Sequence, residues 1–338
     1  MGVLPNANRQ LRLKARPEGL AGPEHFDETT EPVRQPAAGE ALVETLLLSI
    51  DPAMRVWMNE DPGYVPPVPL GGVMRAGGIG RVLESRIPGI EAGDLVQGRL
   101  GWQSHPTLAA EGLQKLDLSL GDAKAWIGPL GTSALTAYFG MTAVGGVRPG
   151  ETVLVSGAAG AVGQIAAQVG TLSHCRVVGI AGGAEKCAYL TGELGLAAAI
   201  DYKATDDLAA AIRTAAPEGV DLYFDNVGGP TLDAAIAGMA PKGRIAICGR
   251  ISQTAAAELY GVKNLGLAIG KRLRIEGFIV SDFHDRYDEA RAWLAGELKA
   301  GRLKQRLHLL DGLEQAPTGL RMLFEGGNTG KLAIRVAK

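Results

Sequence analysis

Read for its alternation of apolar and polar positions, the chain shows three textures. Up to about residue 125, short apolar runs at 11–13, 41–50, 80–84 and 94–98 are set apart by turns such as Asp61-Pro62-Gly63, Pro66-Pro67, Gly71-Gly72 and Gly77-Gly78. Short strands at this spacing predict a small barrel. From about residue 129 the spacing turns helical over 132–144. Strand-like runs at 152–156, 175–180, 198–202, 220–225, 243–249 and 274–280 then alternate with helical stretches at 164–171, 187–194, 206–216, 230–239 and 285–300. Such alternation predicts a parallel, doubly wound α/β sheet. The stretch 307–338 returns to strand-like texture, so a β domain built from both chain ends (1–128 and 306–338) is expected beside a central one (129–305).

One unit of the central region carries chemistry. The strand at 152–156 runs into Gly157-Ala158-Ala159-Gly160-Ala161-Val162-Gly163, then a helix, then the strand at 175–180. Strand, glycine turn, helix and strand within about 30 residues form the unit that binds dinucleotides. Pyrophosphate oxygens must approach backbone N–H groups at the helix N-terminus, where unsatisfied donors and the helix dipole favour an anion. Gly160 permits that approach and Gly163 lets the helix lie close to the sheet, while Ala158 stands where G-x-G-x-x-G has its first glycine. A ligand-free tight turn would use the same glycines; the strands on both sides favour the cofactor. An acid at the tip of the second strand would hold the ribose 2′-OH of NAD. Here Ile180-Ala181-Gly182-Gly183 occupies that place, followed by Lys186 within reach of a 2′-phosphate. The pattern favours NADP, with Glu185 keeping NAD open.

Composition narrows the partners. Lys and Arg number 34 against 36 Asp and Glu, with no basic block to suggest a nucleic acid or an anionic membrane. Aromatic content of 5% argues against a base-stacking platform. Cys175, Cys187 and Cys248 are too few and too scattered for a disulfide framework or a zinc cluster. His25, His105, His174, His284 and His308 are dispersed, none beside a glutamate. The first residues lack the apolar segment of a signal peptide, and no run of 18 apolar residues occurs, so a cytoplasmic protein is expected.

Several strings carry a family resemblance: Asp51-Pro52-Ala53-Met54-Arg55, Gly71-Gly72-Val73-Met74-Arg75, Leu135-Thr136-Ala137-Tyr138-Phe139-Gly140, the glycine turn itself, Tyr223-Phe224-Asp225-Asn226-Val227-Gly228-Gly229, Gly277-Phe278-Ile279-Val280 and Gly327-Asn328-Thr329-Gly330-Lys331. The chain resembles the zinc-independent medium-chain dehydrogenase/reductases, in the branch of prostaglandin/leukotriene reductases, plant alkenal double-bond reductases and bacterial curcumin reductases. The matches hold one register from about residue 40 to the end. The zinc-dependent cousins carry Gly-His-Glu where this chain has Leu70-Gly71-Gly72-Val73-Met74.

The resemblance implies a GroES-like barrel, a Rossmann domain, NADPH and a homodimer. Position by position it puts Gly160, Ala161 and Val162 on the pyrophosphate, and Lys186 and Tyr202 on the 2′-phosphate. Asn226, Cys248, Gly249 and Ile251 fall along the nicotinamide half, Phe278, Ile279 and Val280 beside the ring, and Thr136 and the tail residue Asn328 among the remaining cofactor contacts. The implied reaction is reduction of the C=C bond of an α,β-unsaturated aldehyde or ketone. Hydride addition at the β-carbon leaves an enolate whose oxygen needs a donor. Plant and mammalian members place a tyrosine where this chain has Gly270. Tyr64, which matches a tyrosine of bacterial members, and Tyr260 are the candidate catalytic donors, with the cofactor's ribose hydroxyl as a third. Ala53, where the family commonly has tyrosine, points to a reshaped substrate pocket. Quinone reduction on the same scaffold, and NADPH binding without catalysis, are the alternative functions.

Overall fold

The computed structural model describes residues 4–337. The chain forms two compact units: residues up to 127 with 307–328 and 332 onward, and residues 128–306 with 329–331. In chain order the strands are β1 (Ala7–Leu13), β2 (Phe26–Pro32), β3 (Glu40–Ser49), β4 (Gly78–Ser85), β5 (Leu95–Gly98), β6 (Thr107–Ala109) and β7 (Leu113–Lys115), then β8 (Thr152–Ser156), β9 (Arg176–Ala181), β10 (Ala198–Asp201), β11 (Val220–Asp225), β12 (Met239–Ile247) and β13 (Arg274–Gly277), and last β14 (Leu307–Asp311) and β15 (Lys331–Arg335).

In the first unit the strands pair in the order β14-β15-β3-β4-β5-β7, with β6 also on β3, and β1 and β2 form a separate antiparallel ribbon. Strand pairing along this path does not run on into a closed barrel among the described residues. Backbone hydrogen bonds fasten the ribbon to the rest: Leu11 N–H donates to Trp102 O (2.8 Å), Met74 N–H to Leu11 O (3.0 Å) and Ser104 N–H to Arg9 O (2.9 Å). Leu13, Leu48, Met54, Met58, Trp102 and Ile334 meet in one core, each fully buried.

The second unit is a six-stranded sheet in the order β10-β9-β8-β11-β12-β13. Every pairing in it is parallel. Val153, Leu154 and Val155 of β8 are all fully buried, because helices cover both faces of a parallel sheet. The chain leaves β8 toward β9 and β10 on one side and places β11 to β13 on the other. The strand order therefore reverses between β8 and β11, the place where such sheets bind ligands. Gly163 lets the helix Ala161–Leu172 sit against the turn: a Cβ there would lie 2.2 Å from Gly157 O and 2.8 Å from Ala158 Cα.

The expected alternation is present with three corrections. The tail is not all strand: the helix Ala316–Glu325 separates β14 from β15, its inward face made by Ala316, Pro317, Gly319 and Leu320. That i, i+3, i+4 pattern is masked in sequence by the small size of three of the four residues. The strand read over 274–280 stops at Gly277, and a 3₁₀ segment starts at Val280, which takes Phe278, Ile279 and Val280 out of the sheet. The helix read over 187–194 begins at Ala184, ends at Ala188 and widens into a π-turn over Tyr189–Glu193. Among the described residues no helix is long and apolar enough to cross a membrane.

Candidate functional site

The glycine turn after β8 closes on itself. Gly157 has φ +57°, and Gly160 N–H donates to Gly157 O at 2.9 Å. Gly160 then serves as the N-cap of the helix Ala161–Leu172, without a side-chain cap. The N–H groups of Ala161, Val162 and Gly163 open that helix, and its dipole adds positive potential at the same point, so an oxyanion is the natural partner. The tail braces the turn from outside: Gly330 N–H donates to Ala159 O at 2.7 Å and Gly330 forms a parallel bridge with Gly160. With φ +80° and a hypothetical Cβ only 2.1 Å from Arg306 O, position 330 admits only glycine. Its string entered the resemblance, but nothing in spacing reveals this brace.

At the end of β9 the sequence points to Lys186, and the structure adds Lys203. Gly183 (φ +97°) and Lys203 both donate backbone N–H to Asp201 Oδ1, at 2.8 and 3.0 Å. Those two bonds hold the Asp201 carboxyl below its ordinary range and fasten together the loops that follow β9 and β10. Burial first, and then the charge of Lys203, push the Lys186 ammonium below the usual lysine value. A phosphate dianion beside Lys186 would offset the neighbouring charge that disfavours its ammonium. Tyr202 stands next to them, half exposed, its ring packed where a Gly182 Cβ would lie 2.8 Å from Tyr202 Cε1. Glu185, which kept NAD open, is exposed and lies 4.0 Å from Arg306. Lys203 escaped sequence reading because a lysine after a strand is ordinarily a solvated one.

Where the strand order reverses, a buried knot ties β8 to β11. Asp225 is fully buried, and its Oδ1 accepts from Tyr223 Oη (2.6 Å), Ser156 Oγ (3.0 Å), Val227 N–H (2.9 Å) and Gly228 N–H (3.0 Å). Asn226 is locked to β8: its N–H donates to Ser156 Oγ (3.0 Å) and its Nδ2 to Ser156 O (2.7 Å). Cys248 and Gly249, at the end of β12, both donate N–H to Asp225 O, at 2.9 and 3.0 Å, and Ile251 N–H reaches Asn226 O at 3.3 Å. Burial and the neighbouring Asp225 push the Cys248 thiol up to about 12, so it stays protonated. The aspartate sits inside one of the strings quoted for the family, but its role as organiser appears only in three dimensions.

Gly160, Tyr202, Asn226, Cys248, Gly249 and Phe278 thus each follow the C-terminal end of a strand of one parallel sheet. Phe278 packs edge-on to Phe224, ring centroids 6.3 Å apart, and both rings fill the space a Cβ on Gly140 would need. Ile279 is 42% exposed. Thr136 lies on the helix Thr132–Phe139 with its hydroxyl turned back to Thr132 O at 2.8 Å.

The two candidate tyrosines differ in what their hydroxyls do. Tyr260 donates to Asp233 Oδ2 at 3.0 Å, and its N–H donates to Gln253 Oε1 at 2.7 Å, which ties the 252–264 segment to the helix Gly229–Gly238. Burial and that bond raise its phenol above the ordinary range. In the first unit, Tyr64 is 48% exposed and accepts from Trp57 Nε1 at 3.1 Å. An indole N–H only donates, so the Tyr64 O–H proton is left for another acceptor. Asn328 is buried within the same unit. Among the described residues no group of three or more His, Cys, Asp or Glu side chains is placed to hold a metal ion, and the three cysteines are free.

Comparison with known proteins places this architecture. Residues 9–116 match the family described as the N-terminal domain of oxidoreductase, and residues 161–296 match the family described as zinc-binding dehydrogenase. Both are halves of one class of two-unit oxidoreductase. The chain belongs to that class, the medium-chain dehydrogenase/reductases, and within it to the zinc-independent branch. It is 39% identical over 343 residues to the NADPH-dependent curcumin reductase of Escherichia coli (strain K12), covering 100% of this chain and 99% of that reductase. It is 40% identical over 306 residues to the NADP(+)-dependent 2-alkenal reductase of Nicotiana tabacum, covering 89% and 88% of the two chains. The crystal structure of CurA from Vibrio vulnificus in complex with NADPH superimposes with a TM-score of 0.92 at 35% identity, over 98% of this chain and 99% of that one.

Proposed function

We propose that this enzyme uses NADPH to reduce the C=C bond of α,β-unsaturated aldehydes or ketones. The observation that carries the cofactor half is the Lys186–Lys203 pair beside the Asp201-fastened loop, a cation pair suited to the 2′-phosphate that distinguishes NADPH from NADH. Relatives named for NADPH-dependent curcumin reduction and NADP(+)-dependent alkenal reduction support the same reading.

When bound, NADPH supplies the hydride. The N–H groups of Ala161 and Val162 would hold its pyrophosphate, with Gly160 allowing the approach. Asn226, Cys248, Gly249 and Ile251, fixed by the Asp225 knot, would line the nicotinamide half, Phe278, Ile279 and Val280 would lie beside the ring, and Thr136 and Asn328 would complete the contacts. Tyr64 keeps its O–H proton and hydrogen-bonds through it to the substrate oxygen as negative charge develops there, and the α-carbon takes its proton from water, which leaves hydroxide to solvent. Tyr260 holds its loop through Asp233 and takes no direct part. The outer edge of β13, all four of whose residues are exposed, supports a homodimer joined along that strand.

The test is oxidation of NADPH, read at 340 nm, by a 2-alkenal, an aryl enone, a quinone and a saturated aldehyde. Turnover of the alkenal or enone, with the saturated aldehyde inert, is expected. Turnover of the quinone alone would reassign the enzyme as a quinone reductase. Silence with all four acceptors while NADPH still binds would leave a binding protein.

A further inference from the structure

Arg306, the cation beside Glu185, reaches further than one ion pair. Its backbone is held at the cofactor end of the second unit: its N–H donates to Gln164 Oε1 (3.1 Å), and its carbonyl accepts from Lys331 N–H (2.9 Å), next to the Gly330 that braces the glycine turn. Gln164 is fully buried in the helix that opens at that turn, and its Oε1 also accepts from Tyr189 Oη at 2.5 Å. Burial pushes the Tyr189 phenol up to about 12, so it stays a donor. Two residues earlier, Gln168 grips the main chain of Lys304 at both its N–H and its carbonyl, each at 2.7 Å. From this base the Arg306 side chain turns onto the segment that carries Lys186. Its guanidinium carbon lies 4.4 Å from the centroid of the Tyr189 ring. Nε donates to Glu193 Oε2 at 3.3 Å, Nη2 donates to Glu193 Oε1, and Nη1 lies 4.0 Å from Glu185 Oε1. A guanidinium stacked on a ring and forked onto one carboxylate keeps a defined position.

We propose that Arg306 is a positioning residue that sets the preference for NADPH over NADH: it fastens the segment bearing Lys186 to the glycine turn and offsets the Glu185 carboxylate, without itself touching the cofactor. The proposal rests on the NADPH reading. Glu185 directly precedes Lys186 on the helix Ala184–Ala188. Burial and then Lys203 push the Lys186 ammonium down while Glu185 acts in the opposite sense, so a charge at Glu185 is felt at Lys186. An uncompensated carboxylate at this strand tip would repel a 2′-phosphate and accept from the 2′-OH of NADH. A guanidinium beside it lowers both tendencies.

The experiment measures dissociation constants for NADPH and NADH with wild type, Arg306→Met, Arg306→Lys, Glu185→Gln and the double variant Glu185→Gln/Arg306→Met. Arg306→Met is expected to cut the preference for NADPH by about fivefold, the scale of one partly screened ion pair, with Arg306→Lys between. In the Glu185→Gln background the same change is expected to alter the preference by less than about twofold, because the carboxylate to be offset is gone. An unchanged preference in Arg306→Met overturns the proposal. So does an equal loss for both dinucleotides, which would leave Arg306 a scaffold residue only. A loss confined to NADPH that persists in the Glu185→Gln background also overturns it, and would make Arg306 a direct ligand of the phosphate. In these three outcomes wild type still prefers NADPH. A wild type without that preference sinks the NADPH reading itself, and the proposal with it. Thermal melting confirms that each variant is folded, and Arg306→Gln replaces Arg306→Met should the latter fail to melt cooperatively.

Discussion

The glycine turn of the second unit and the ledge of the first, where Tyr64 and Arg75 both meet Trp57, offer hydrogen-bond donors built from opposite materials. The turn uses backbone N–H groups, so its requirement is written as absent side chains at fixed spacing: Gly157, Gly160 and Gly163 within one strand–helix step. The ledge uses side-chain tips from residues 57, 64 and 75, brought together by loops with no period of their own. A site made of backbone is visible in sequence because few residues permit it. A site made of side-chain tips is visible only once the loops are placed.

The largest effect should come from filling the backbone site. In Gly163→Val the new side chain meets Gly157 O at a distance no packing tolerates, and the obstacle is main chain on both sides. A loss of about 3 kcal/mol or more is expected from overpacking of this kind, together with loss of measurable NADPH binding. A melting curve and a fluorescence titration would check both. Wild-type affinity in this variant would mean that the turn is not where the pyrophosphate goes.

Next in size is the cation pair. Lys186→Ala should weaken NADPH by about 10- to 100-fold and Lys203→Ala by about 10-fold, as expected for charge-assisted contacts to phosphate. NADH affinity should move by less than about twofold, because it lacks the 2′-phosphate. Titrating both dinucleotides against both variants settles whether Lys203, which only the structure reveals, shares the load. On the ledge, Tyr64→Phe should lower kcat on an enone by about 10- to 100-fold, the scale of removing one donor from a developing oxyanion, with the KM for NADPH unchanged. Tyr260→Phe should leave kcat within about threefold and lower the melting midpoint by roughly a few degrees, since its hydroxyl serves Asp233. The reverse pattern would move the donor to Tyr260.

What was legible in sequence follows the same division. The strands at 152–156 and 220–225 were read at their observed bounds, because each has an apolar centre (Val153-Leu154-Val155 and Leu222-Tyr223-Phe224) closed off by polar residues at its ends. The helix Ala316–Glu325 was missed because its inward face is made by Ala316, Pro317, Gly319 and Leu320, residues that also fit a loop. The strand at 274 was overextended because Phe278-Ile279-Val280 has strand composition, yet the backbone turns at Val280. Among the candidate site residues, Gly160 and Lys186 are the two that spacing and chemistry single out. Gly330, Lys203 and the organising role of Asp225 did not: each depends on a partner far away in sequence, Ala159, Lys186 and Ser156 respectively.

The smallest expected effect is also the most selective. Burial and Lys203 hold the free-protein pKa of Lys186 below the usual lysine value. The charge proposed to bind a 2′-phosphate is therefore present below that lowered pKa and lost as pH rises through it. A bound dianion favours the ammonium, so the complex retains its proton to higher pH than the free protein does. By linkage, NADPH affinity must fall as pH rises above the free-protein value, by at most about tenfold per pH unit for one proton, and binding in that window must take up protons. The decline should begin at lower pH than a fully solvated lysine would give. On the acid side affinity should also weaken, near the second ionisation of a phosphate monoester at about pH 6. NADH, which meets neither requirement, should show a flat profile between those limits. Dissociation constants for the two dinucleotides across pH, with proton uptake followed by calorimetry in buffers of different ionisation enthalpy, test this directly. Parallel decline of NADPH and NADH would trace the pH effect to the fold of the unit. Decline of NADPH alone, altered in Lys186→Ala, would trace it to the 2′-phosphate end of the cofactor.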